Sequence, residues 1–404
     1  MSSSFQRLPK GLFFAFLVVL NMFVPLSMDL YLPALPEMSR QLGGSTEWMN
    51  LTLSGFFLTY ALGALFMGPL SDKHGRRPLL VGMVLLYTAG SIACALAPNL
   101  AVLIATRCIQ GLAAGGISTV VMAVIKDSYS GASRAKALAW TQTVGALAPM
   151  VAPSLGTLIL TVADWRGVFI LLALIGLVAL IFTLFYSESH PQEARYVGSL
   201  AGAIGQMGNV LKNPRVILPL LIFALAGLPF LGYISASSYI YIDQFHLGRP
   251  EFSLFFAANA LCSMSAPLVY ARWGARMDKW VFSTGALGLS LAAGAALLVF
   301  GSLGPWWFFV LFALYAGINT ATRPFTTNLI FDQHDGDNGA LASVMGISNT
   351  LIGSLGMILA SLPSSNRVSL LGTLITVCAA LALGAWVLLL RSQVKLAGMG
   401  KGSA

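Results

Sequence analysis

Three groups of residues in this sequence carry chemistry that apolar surroundings make costly. The first is Asp29, set inside Pro25-Leu-Ser-Met-Asp-Leu-Tyr-Leu-Pro33. A carboxylate in a membrane-length apolar run costs ~2.5–3.5 kcal/mol at the bilayer centre on conservative scales. It must therefore face a cavity or a partner, where it suits reversible protonation, or sit at the interface as an anchor for the helix end. Pro25 and Pro33 release backbone carbonyls and let the chain bend around it. The second group is Arg107-Cys-Ile-Gln110-Gly111, continued by Gly115 and Ser118 at helical spacing. That small-residue stripe admits a second helix closely. At 1.5 Å per residue, Arg107 lies ~10 Å and Asp29 ~6 Å below the outer surface, depths compatible with an ion pair. The third is Gly68-Pro-Leu-Ser-Asp72-Lys-His-Gly75-Arg76-Arg77, four charges in six residues between two uncharged runs. A turn so charged lies outside hydrocarbon. Its glycines permit close approach and a positive φ. Asp72 can accept from N–H groups at a helix N-terminus, and the arginines can reach a carboxylate on another helix. Together they read as a latch between moving helices, with Asp72 and Arg76 bridging to the other half of the chain.

These residues need membrane helices to position them. Of 404 residues, 57% are hydrophobic and 9% charged, against about 25% charged in an ordinary soluble domain. Uncharged runs of span length fall near 11–33, 48–70, 78–97, 100–124, 137–161, 167–186, 216–240, 252–271, 280–301, 305–330, 339–362 and 368–390. Twelve helices of an all-α membrane protein are thus expected. The net charge of +9 is then an orientation signal and not a nucleic-acid footprint. Of 23 basic residues, Arg40, Arg166, Arg249 and Arg367 fall on the alternate loops and Arg107 and Arg323 within spans. All the others fall on one side, which puts both termini in the cytoplasm. The apolar run from Gly11 reads as an uncleaved first span. The long polar interruption from Ser187 to Pro214 divides the chain. The expected arrangement is six helices in 1–190, a cytoplasmic linker 191–214 and six helices in 215–404. A faint repeat supports the division: Ala266-Pro-Leu…Gly274-Ala-Arg276 follows span 8 as Gly68-Pro-Leu…Gly75-Arg76 follows span 2.

The Gly68–Arg77 stretch resembles the signature loop of the major facilitator superfamily, between its second and third helices. Arg107, Gln110 and Gly111 are similar to the superfamily's fourth-helix motif, whose arginine is linked to proton coupling. Ala148-Pro149-Met-Val-Ala-Pro153-Ser-Leu-Gly156 resembles its antiporter motif, with Ala152 and Thr157 in place of two glycines. Asp29-Leu-Tyr-Leu-Pro-Ala-Leu-Pro36, Lys126-Asp-Ser-Tyr129 and Asp164-Trp-Arg-Gly-Val-Phe169 are similar to the Bcr/CflA group of multidrug exporters. The resemblance implies two pseudo-symmetric six-helix bundles (the major facilitator fold) in the bacterial inner membrane. It also implies alternating-access antiport of lipophilic drugs against protons, with Asp29 and Arg107 coupling the proton. A transporter of one physiological solute, such as a nucleoside, amino-acid derivative or metallophore, is the alternative.

Further residues complete the candidate set. Asn21, Tyr31, Phe230, Tyr233, Tyr239 and Arg323 could line a substrate cavity. Arg323 either snorkels to the cytoplasm or meets an anionic group. The aromatics of span 7 either line a pocket or pack against neighbouring helices. Asp332, Asp335 and Asp337 form a solvated acidic loop lacking calcium-site spacing. Cys94, Cys108, Cys262 and Cys378 all fall in apolar runs, as core thiols do. With no nucleotide motif, no histidine spacing for a metal and no hydrolytic set, we expect no cofactor, no enzymatic activity and no nucleic-acid partner. The lipid bilayer, protons and small solutes are the expected partners of a monomer.

Overall fold

A computed structural model describes residues 9–195, 200–334, 338–392, 394 and 396–399. Asp335 and Asp337 of the acidic loop lie outside the described residues. Helix is the secondary structure throughout the described residues, with no strand among them. That follows from solvent: in hydrocarbon each backbone N–H and C=O must be satisfied within its own segment.

Eleven segments are long and apolar enough to cross a membrane. The first six spans are Gly11–Gln41, Thr46–His74, Arg76–Ala95, Leu100–Ser128, Gly131–Ile159 and Trp165–Phe185. Spans 7, 8, 9, 11 and 12 are Pro214–Gln244, Arg249–Arg276, Lys279–Leu303, Gly339–Leu359 and Arg367–Arg391. The expected tenth, Pro305–Phe331, is a helix of 27 residues. Asn319, Thr320, Thr322 and Arg323 make it the most polar of the set.

The chain divides into two compact units, Met1–Ala203 and Ile204–Ala404. Each repeats one packing scheme. In the first unit span 2 packs along span 4, span 3 along spans 4 and 6, and span 1 against span 5. In the second, span 8 packs along span 10, span 9 along spans 10 and 12, and span 7 against span 11. Small residues set the distances. A Cβ on Gly115 of span 4 would strike the carbonyl of Tyr60 in span 2. One on Gly156 of span 5 would strike the carbonyl of Leu30, and one on Gly356 of span 11 that of Leu228. Backbone-to-backbone contact of this kind holds helices together where lipid removes the hydrophobic drive between them. The stretch 191–214, read from sequence as linker, contains a helix at Leu200–Leu211. Its Val210 is buried with Val216, Leu220, Ile330 and Leu341 of the second unit.

Span 1 is interrupted. It is helical over Lys10–Asn21 and Phe23–Asp29, turns through a short tight helix at Leu32–Ala34, and resumes at Leu35–Gln41. Pro33 and Pro36 lack the N–H groups that would otherwise bond the carbonyls of Asp29 and Leu32, so the helix cannot run through. The break falls next to Asp29. Span 5 differs: Gly131–Ile159 stays helical across Pro149 and Pro153.

Candidate functional site

Arg107 is 0% exposed, and four neutral acceptors hold it. Its Nε donates to the Thr52 carbonyl at 3.2 Å and Nη1 to Gln110 Oε1. Nη2 reaches Tyr31 Oη at 3.4 Å and Met28 Sδ at 3.5 Å. Its guanidinium carbon lies 4.5 Å from the Phe56 ring centre, 4.7 Å from Tyr31 and 5.8 Å from Phe169. A desolvated cation costs several kcal/mol. Ring faces return up to ~2 kcal/mol each when water is excluded, and charge-bearing hydrogen bonds ~1.5–3 kcal/mol each. The polar chain continues: Gln110 Nε2 donates to Ser91 Oγ at 2.8 Å, and Ser91 Oγ to the Tyr87 carbonyl at 2.8 Å. Tyr87 Oη meets Ser27 Oγ at 2.6 Å, returning to span 1. Spans 1, 2, 3 and 4 are thereby tied through one arginine.

Asp29 is 4% exposed and shares the broken span with Met28 and Tyr31. Its carboxyl group forms no hydrogen bond or ion pair among the described residues. The expected Asp29–Arg107 pair is therefore not present in this structure. The reason is register. Met28 and Tyr31, three apart, turn one face of span 1 to Arg107, and Asp29 lies ~100° round the helix from Met28. Asn21, seven residues before Met28, donates from Nδ2 to the Thr141 carbonyl of span 5 at 3.1 Å. Gly145 faces Asn21, and Gly156 seats on Leu30. The span 5 motif thus packs against the segment that carries Asp29, with Pro153 buried and Pro149 half-buried.

The charged loop is tighter than its sequence suggests. Span 2 stays helical to His74 and span 3 begins at Arg76, so Gly75 alone joins them at φ +101°. L side chains avoid that conformation, and a Cβ here would also crowd the Glu188 carboxylate. Arg76 is 5% exposed. It pairs with Asp72 through Nη1 at 2.5 Å and with Asp127 through Nε at 3.0 Å. The N–H groups of Arg76 and Arg77 donate to the two Glu188 oxygens at 2.9 and 3.1 Å, so Glu188 and not Asp72 caps span 3. Arg77 Nη2 donates to the Leu184 carbonyl at 2.8 Å, and a Cβ on Gly68 would come to 3.2 Å from the Thr119 methyl. These partners come from spans 2 and 4 and the end of span 6. The latch described here is internal to the first unit, where the sequence had suggested a bridge to the other half. Glu188 escaped sequence reasoning because it stands alone among polar loop residues, and Asp127 entered it only within the Lys126–Tyr129 stretch, with no partner assigned.

In the second unit the candidate set separates. Phe230 and Arg323 line a cavity of about 290 Å³ between spans 7, 10 and 11. Tyr233 and Tyr239 are 3% and 1% exposed and pack instead. Tyr233 stacks on Phe312 with centroids 3.8 Å apart and accepts from Asn259 Nδ2 at 3.2 Å, while Tyr239 lies under Arg367 at 5.0 Å. The cavity stripe Phe223, Ala224, Gly227, Phe230 and Leu231 follows helical spacing, and Tyr233 falls roughly a third of a turn from its middle. Tyr31 is likewise enclosed, against Arg107.

Broken and proline-bearing spans, charged residues within them and a packing scheme repeated in two units fit a polytopic membrane transporter. The Major Facilitator Superfamily profile matches residues 17–361, and the chain belongs to that family of transporters. It is 26% identical over 89% of its length to the multidrug resistance protein MdtL of Klebsiella pneumoniae subsp. pneumoniae, covering 91% of that protein. It is also 26% identical over 90% of its length to the bicyclomycin resistance protein homolog of Haemophilus influenzae, again covering 91%. Among solved structures it resembles a bacterial homolog of the human lysosomal transporter Spinster, with a TM-score of 0.73 and 14% identity. That likeness covers 95% of this chain and 97% of the other. The chain is a multi-pass membrane protein and a transporter of small solutes or drugs, similar along most of its length to resistance proteins of that superfamily.

Proposed function

We propose that the protein is a monomeric, proton-coupled multidrug exporter of the bacterial inner membrane, with both termini cytoplasmic. Drug leaves as protons enter, by alternating access of the two bundles. One observation carries the reading. Arg107 is held only by neutral groups, while Asp29, one register step away on a broken span, has no described partner. The two longest contacts of Arg107, at 3.4 and 3.5 Å, go to Tyr31 and Met28 of that same span. When Asp29 ionises, a modest rotation of Phe23–Asp29 about the Leu30–Ala34 break exchanges those weak contacts for a carboxylate. When it is protonated, the arrangement described here returns. Substrate and proton then drive opposite states by differential affinity. Names of the resistance-protein relatives support drugs as the cargo.

The test uses purified protein in liposomes under an imposed pH gradient, recording drug flux and lumenal pH together. Wild type moves drug against its gradient with matching proton flow. Asp29→Asn binds drug and melts normally but no longer couples. Efflux driven by pH in Asp29→Asn would remove Asp29 from the mechanism. Saturable flux of a single solute, with no competition among unrelated drugs, would favour a dedicated carrier.

A further inference from the structure

The cavity of the second unit holds a cation without a counter-charge. None of its lining residues is an aspartate or glutamate, and Arg323 is exposed to it. Arg323 makes no hydrogen bond or ion pair among the described residues. Its guanidinium carbon sits 5.4 Å from the Phe230 ring centre, which holds the planar group against the wall. Asn319 and Asn349 line the same space, and their side-chain amides also have no described partner. Gly227 makes room for one of them, since a Cβ there would come to 3.0 Å from Asn319 Nδ2. Convergent N–H donors with no acceptor of their own form half of a polar site. The rest of the wall sets the apolar side chains of Phe223, Leu231 and Met345 beside the hydroxyls of Thr322, Thr326 and Thr350. A volume of about 290 Å³ stands at the lower end for small-molecule pockets.

We propose that this cavity is an anion-accepting subsite within the second unit. It takes the carboxylate of a small aromatic acid on Arg323, Asn319 and Asn349, with the ring against Leu231 and Met345. The planar guanidinium suits a carboxylate because it offers two parallel donors to two oxygens. The proposal rests on the transporter reading and narrows its substrate class: an amphipathic monoanion binds ahead of a neutral molecule of the same shape.

The experiment measures calorimetric binding of 2-naphthoate and 2-naphthamide to the full chain in lipid nanodiscs. No pH gradient is imposed, so loss of proton coupling and loss of this subsite are separate results. Wild type prefers the acid by about tenfold or more, equivalent to 1.4 kcal/mol per decade. Arg323→Gln erases the preference and Arg323→Lys keeps part of it. Tyr233→Phe, whose ring packs on Phe312 outside the cavity, leaves it unchanged. Asn349→Asp, which supplies Arg323 with a tethered carboxylate, weakens naphthoate binding and provides a second route should Arg323→Gln melt early. Equal binding of acid and amide to wild type, no binding of either, or a preference that survives in Arg323→Gln would each overturn the proposal.

Discussion

Arg107 and Arg323 occupy corresponding spans of the two repeats, the fourth and the tenth, and meet opposite surroundings. Arg107 lies seven residues into its span, ~10 Å by helical rise, and Arg323 eighteen residues into its own, ~27 Å. The first is enclosed by three aromatic rings and four neutral acceptors. The second has one ring beside it and an open cavity in front. The same repeated packing thus yields one arginine that ties its bundle together and one left available to a ligand. A charge in a membrane span is informative only together with what satisfies it. Where the protein supplies every acceptor, the residue is part of the scaffold and its switch. Where it supplies none, an acceptor must come from outside.

The largest effect that would sharpen this contrast is on stability. Arg107→Ala removes a fully buried side chain, strips Gln110 of its partner and opens a cavity. We expect a loss of ~3–5 kcal/mol, seen as a collapse of the detergent melting curve. Arg323→Ala should stay within ~0.5 kcal/mol of wild type, as changes away from packed features do. Comparable melting losses in both variants would break the contrast.

A second pair tests whether the repeat is energetic as well as topological. Gly156→Val and Gly356→Val each force a side chain onto a backbone carbonyl of the paired span, Leu30 or Leu228. Each should cost ~1–3 kcal/mol or more. Gly82→Val, with open space at its Cβ, is the matched control and should melt like wild type. The third test concerns the latch. Glu188→Gln leaves the N–H groups of Arg76 and Arg77 with a weaker acceptor and should cost ~1–2 kcal/mol. Gly75→Ala adds the strain of a positive φ, ~1 kcal/mol, to crowding at Glu188. If Gly75→Ala melts as wild type does, the one-residue hinge is not under the constraint described. Among the packed residues the smallest loss is expected at Tyr233→Phe. It removes one hydroxyl bonded to Asn259 and should cost ~1 kcal/mol while leaving naphthoate binding unchanged, because the ring packs on Phe312 and not on the cavity.

Much of the site was legible before the fold was known, for reasons specific to each residue. Asp29 and Arg107 stood out because hydrocarbon makes any charge an exception. Gly75 stood out because a charged turn that tight needs a residue free in φ. Glu188 did not, since an acid on a polar loop is ordinary until its partner is known, and Asp127 was noticed only as part of a motif, without its role. Tyr233 and Phe230 are three residues apart and chemically alike. Only the angle around span 7 separates packing from cavity, and sequence spacing does not say which face meets which neighbour. Asn319 and Asn349 come from different helices and share one cavity only because span 7 packs against both spans 10 and 11.

The sequence by itself determined the solvent, the spans, the break at Pro33 and the repeat. Each follows from local composition: apolar length, a missing N–H, charges confined to loops. Tertiary structure alone decided which charges are satisfied. It turned Met28 and Tyr31 but not Asp29 toward Arg107, gave Asp127 and Glu188 to Arg76 and Arg77, and left Arg323 facing open space. Partnership across helices depends on rotational register and depth, which packing sets and chain order does not encode locally.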